Sequence, residues 1–100
     1  MVTMEPIRVG DSVLIGVEVK LPKTTLLSIS TSRGYIMCGA LDIGLLNEVL
    51  GSRQIIAARA IGVRTLEQLL NAPMESVTKE AEAIGVLPGM SGYEALEKML

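Results

Sequence analysis

The chain has 100 residues, 49% of them hydrophobic and 20% charged, with no histidine and a net charge of -2. That length and apolar content suit one compact domain, expected over residues 1–100. Residues 66–100 carry two Lys or Arg against six Glu, which argues against a nucleic-acid surface built on clustered cations, so no nucleic-acid partner is expected.

In chain order, EPIRV, the pair Gly10-Asp11 and SVLIGVEVK read as two strands joined by a tight turn, with Val13, Ile15, Val17 and Val19 alternating down one face. The proline of LPKT closes the second strand. TLLSIS and GYIMCG follow as a second hairpin, joined through Thr31, Ser32, Arg33 and Gly34, where glycine can supply a positive φ.

In LDIGLLNEVLG, Asp42 can cap a first turn, Leu45, Leu46, Val49 and Leu50 form an apolar stripe, and Gly51 supplies a left-handed stop. The spacing predicts a helix of two to three turns. Residues 55–62, IIAARAIG, are apolar and too few for an independent helix, so they read as a strand. Gly34 to Gly62 is then a βαβ unit.

Thr65 and Gln68 have capping-box spacing before a short helix, TLEQLLN, which Pro73 interrupts. Pro73 can open another helix that runs through MESVTKEAEAIG to Gly85. Ser91 and Glu94 repeat the capping-box spacing, and Leu96, Met99 and Leu100 give the last helix its apolar face. The expected fold class is α+β: a mixed sheet of about five strands, with helices packed on one face and one βαβ unit.

LPKT, GYIMCGALD, LLNEVL, ARAIGVRTLEQLLNAPMESVT and GMSGYEAL, in that order, resemble the YunC-like family, small bacterial and archaeal proteins named for a domain of unknown function. The resemblance covers most of the chain and is weakest over residues 1–20; GYIMCGALD with GVRT makes it specific. It implies a two-layer α/β sandwich. It implies no established activity, substrate or cofactor, and it designates no catalytic residue.

No apolar run spans a bilayer, because Gly16, Glu18, Lys20 and Lys23 interrupt the longest one, and MVTMEPIRVG lacks the features of a secretory signal. A cytoplasmic protein with no membrane partner is expected. One cysteine and no histidine leave no zinc or iron ligand set and no histidine-based nucleophile pair, so neither metal nor cofactor is expected. Whether the protein is an enzyme stays open.

If the second hairpin is antiparallel and the βαβ strands are parallel, Lys23, Cys38, Gly39, Arg64 and Thr65 come to one sheet edge, where strands end and helices begin. Helix starts there carry free amides and partial positive charge. The expectation is a site for a small anionic ligand, a carboxylate or phosphate, made from Lys23, Arg64, the backbone after Gly39 and the Thr65 helix start, with Cys38 at its border as the candidate catalytic thiol.

Each residue also has a plainer reading. Cys38 fills a core position, Lys23 pairs with Asp42, Arg64 is a solvated residue before a helix cap, and Gly39 allows close packing. Arg59 lies on an exposed face or an interface. VLPGMSGYEALEKML looks like half of a helix-hairpin-helix, but Gly89-Met90-Ser91-Gly92 is one residue too long and its neighbours are acidic.

The alternative function is a structural or protein-interaction module that forms a homo-oligomer without a ligand. Met37, Met74, Met90 and Met99 suit adaptable contacts, and a dimer is the commonest symmetric assembly.

Overall fold

The computed structural model describes residues 1–39, 43, 47 and 53–100. Six strands, β1 (Val2–Val9), β2 (Ser12–Leu21), β3 (Thr24–Ser30), β4 (Gly34–Met37), β5 (Ile56–Arg59) and β6 (Ser76–Val77), lie side by side in sequence order. Only β4 and β5 run parallel; the other neighbours are antiparallel. The three described helices are α1 (Leu66–Asn71), α2 (Lys79–Ala83) and α3 (Gly92–Met99). The α+β class and the mixed sheet agree with the sequence reading, and of the helix expected over residues 41–51 all but Ile43 and Asn47 lie outside the described residues.

The first hairpin turns at Gly10, whose φ of 59° is the left-handed conformation glycine tolerates. Its amide donates to the Tyr93 hydroxyl at 2.9 Å, which ties the turn to α3. The second turn places Pro22 before Lys23, and Lys23 takes a φ of 64°, as the third position of a type II turn requires. At the third turn the Thr31 hydroxyl accepts from the amides of Arg33 and Gly34. Gly34 does not adopt a positive φ; a β-carbon there would collide with the Ile56 carbonyl oxygen, so the glycine permits close approach of β5.

One face of the sheet meets the helices. Leu27, Ile29 and Ile36 from the strands pack with Leu69, Leu96 and Met99 from α1 and α3, all fully buried. Each such side chain contributes about 1.5–3 kcal/mol on burial. Gly92, in the first turn of α3, lets that helix sit against the Leu69 carbonyl and Ile36. On the other face of β5 a smaller cluster joins Ala57 and Ile43, with Tyr35 and Ile55 packed against them.

Two further local expectations change. The strand expected over residues 55–62 spans only Ile56–Arg59, and the helix expected from Pro73 to Gly85 is preceded by β6 and starts at Lys79. Thr78 is the reason: its hydroxyl donates to the Ile55 carbonyl and accepts from the Ala57 and Ala81 amides, so it caps α2 and fastens it to β5 at once. The Val13, Ile15, Val17 and Val19 stripe points away from the helices. It is Leu14 and Gly16 that face α1, and Gly16 leaves room for Leu66 and Ile7.

Candidate ligand-binding site

The β2–β3 turn and the segment leaving β5 form the two walls of an open cleft of about 540 Å³, lined by Lys23, Thr24, Thr25, Gly62, Val63 and Arg64. The turn carries Lys23 outward on a left-handed backbone. Gly62, with a φ of 75°, bends the chain beyond β5 so that Val63 and Arg64 face it. Among the described residues neither Lys23 nor Arg64 has a carboxylate within 4.0 Å. Among the described residues the lining combines two cations with two threonine hydroxyls and no carboxylate.

Of the five residues expected at this edge, Lys23 and Arg64 line the cleft. Cys38 lies behind it, 5% exposed in the main core. Its Sγ accepts from the Leu27 amide at 3.4 Å and donates to the Thr25 carbonyl at 3.8 Å, which is the arrangement of a core-filling thiol. Gly39 is exposed and outside the lining, and a β-carbon there would make only an ordinary contact with Ile61, so close packing does not require glycine. Thr65 caps α1, its hydroxyl accepting from the Gln68 amide at 3.0 Å, and it faces a separate recess of about 240 Å³ with Glu5, Glu18 and Glu67. The capping box is half as expected: Gln68 Oε1 accepts from the Arg64 amide rather than that of Thr65.

The Lys23–Asp42 pairing falls outside the described residues, because Asp42 does. Thr24, Thr25, Gly62 and Val63 were missing from the sequence-derived set. Gly62, between an apolar strand and a cap, was the usable signal for a bend. Arg59, on the outer face of β5, holds Glu75 through Nη2 at 2.8 and 2.9 Å. That contact holds the Glu75 carboxyl below its ordinary value, with a smaller contribution from Ser76. Among the described residues no group of three or more Cys, Asp or Glu is placed to hold a metal, and no helix is long and apolar enough to cross a membrane.

A sequential mixed sheet under short helices, with a cation-lined cleft at the parallel-strand end, defines a small α+β protein of two layers. A family profile described as "Domain of unknown function (DUF1805)" matches residues 37–99. The chain is 55% identical over its full 100 residues to the uncharacterized protein YunC of Bacillus subtilis (strain 168), covering 99% of that protein. A crystal structure of a protein of unknown function from Thermoplasma acidophilum matches with a TM-score of 0.88 at 32% identity, covering 100% of this chain and 94% of that one. The chain therefore belongs to this YunC-like family of unknown function.

Proposed function

We propose that the protein binds a small anionic ligand, a carboxylate or a phosphate, in the cleft between the β2–β3 turn and residues 62–64. One observation carries the reading: Lys23 and Arg64 stand on opposing chain segments around one cleft, and neither is neutralised by an acid among the described residues. A guanidinium gives bidentate recognition of a planar or tetrahedral oxyanion, and an ammonium adds a mobile point charge. Thr24 and Thr25 supply hydroxyls that can serve the remaining oxygens.

Binding, and no reaction, is what the lining supports. Among the described residues it holds no carboxylate for acid–base work, and the Cys38 thiol is buried behind the wall. Cys38 then supports the wall through its hydrogen bond to Thr25, and Thr65 sets the start of α1. A cytoplasmic setting is part of the proposal, and the free Cys38 suits a reducing compartment.

A thermal-shift panel of phosphate, sulfate and small mono- and dicarboxylates tests the reading, with chloride at matched ionic strength as the reference. A ligand at ten times its dissociation constant stabilises by about 1.4 kcal/mol, which moves the midpoint of a domain this size by about 6–11 °C. Equal midpoints in every salt would remove the proposal.

A further inference from the structure

Strand pairing fixes which side chains share the face turned away from the helices. Val2, Met4, Pro6 and Arg8 of β1 stand opposite Val19, Val17, Ile15 and Val13 of β2. Val2, Met4, Val13 and Ile15 are 62%, 65%, 61% and 51% exposed, and Val17 and Val19 are half-buried. Beyond them β3 adds a polar border, Ser28 beside Val17 and Ser30 beside Ile15. In the half of the β1–β2 hairpin away from its turn the usual pattern is inverted: the polar Thr3, Glu5 and Glu18 alternate onto the helix side, where Ile7, Val9 and Leu14 stand nearer the turn, and the apolar Val2 and Met4 face water.

We infer that this outer face of β1–β2 is the interface of a symmetric homodimer, with a second copy of the chain as its occupant. The face carries one charge on the two strands, Arg8 at its end, so it offers little to an anionic lipid surface or an acidic partner, both of which call for clustered cations. Its complement is another uncharged apolar face, and the same face on a second copy is one by twofold symmetry. Face-to-face contact is favoured over edge pairing. Pro6 removes a donor from edge strand β1, and the opposite edge, β6, is two residues long.

The size suits a weak, reversible dimer. Three strands of about eight residues, the serine-bearing β3 included, project about 27 by 14 Å, or about 380 Å², before side-chain relief is added. Two such faces project about 760 Å² in total, below the roughly 1,200 Å² at which stable specific interfaces begin, so the dimer is expected to be weak and reversible, with a dissociation constant of about 100 µM. This inference shares no residue with the cleft, and the failure of either leaves the other standing.

Sedimentation velocity of the full chain from about 2 to about 200 µM tests it, with Ile15→Lys and Met4→Lys as interface variants and Thr3→Lys as a same-strand control on the other face. The expected result is a wild-type dimer, weakened about 30-fold or more by either interface lysine and about twofold or less by the control. A wild-type monomer throughout, or a dimer indifferent to both lysines, overturns the inference; so does a monomer that cosediments with neutral phosphatidylcholine vesicles, which would assign the face to lipid. Should the lysine variants not fold, methyl spectra of the wild type on dilution decide. Shifts confined to Val13, Ile15, Val17 and Val19 support the interface, and their invariance overturns it.

Discussion

The Sγ of Cys38 lies 3.8 Å from the carbonyl oxygen of Thr25, so the only thiol of the chain is hydrogen-bonded to a residue of the cleft wall while itself buried in the core. The same sulfur accepts from the Leu27 amide. Cys38→Ala leaves that buried amide without this acceptor and opens a small cavity, which together cost about 2–3 kcal/mol in urea unfolding. Cys38→Ser restores part of the loss. Native alkylation is slow and becomes fast on unfolding; a fast native reaction would place the thiol on the surface instead.

Thr78 makes three hydrogen bonds through one hydroxyl at 2% exposure. Thr78→Val keeps the shape and removes all three, exposing the start of α2 and the edge of β5 to unpaired polar groups. The expected loss is about 2–4 kcal/mol by urea denaturation. Thr78→Ser should lie within about 1 kcal/mol of wild type, and a neutral Thr78→Val would mean the cap is dispensable.

Lys23 holds a φ of 64° with a β-carbon in place, a conformation costing about 1–2 kcal/mol that glycine avoids. After allowance for glycine's extra freedom in the unfolded chain, Lys23→Gly is expected to raise stability by about 0.5–1 kcal/mol. Anion affinity falls about tenfold in the same variant. Stability gained with function lost is the signature of a strained residue kept for its charge; a destabilised Lys23→Gly would point to a structural role for the lysine.

The Arg59–Glu75 pair makes stability depend on pH. The hydrogen bond from Arg59 lowers the Glu75 value in the folded state, so the contribution is fully present above the ordinary glutamate range and is lost as pH falls through the lower native value. Melting midpoints of wild type and Glu75→Gln are expected to differ at neutral pH and to converge in acid. A difference that stays constant across that window would show that the shift is absent.

Strand order was legible from period-2 alternation and turn residues, as the hairpins at Gly10 and Pro22-Lys23 illustrate, and the caps at Ser91 and Thr65 followed from short-range spacing. Which face of β2 is inner was not. Val13 and Ile15 make the stronger apolar stripe, yet Leu14 and Gly16 meet α1, because helix packing selects a face that alternation alone leaves undetermined. Thr78 was hidden for a different reason: in MESVTKEAEAIG it sits at an interior position of a helical pattern, and its partners Ile55 and Ala57 are more than 20 residues away. At the cleft, topology brought Lys23 and Arg64 together, whereas the burial of Cys38 depends on packing that spacing does not encode.

The most direct test of the anion site is a two-dimensional amide titration with phosphate and a small dicarboxylate, on wild type, Lys23→Ala and Arg64→Ala. Saturable shifts centred on Thr24, Thr25, Gly62, Val63 and Arg64, with a dissociation constant below about 1 mM and about tenfold weaker in either variant, are the predicted result. Shifts that rise linearly, scatter over the surface or persist unchanged in both variants would contradict it.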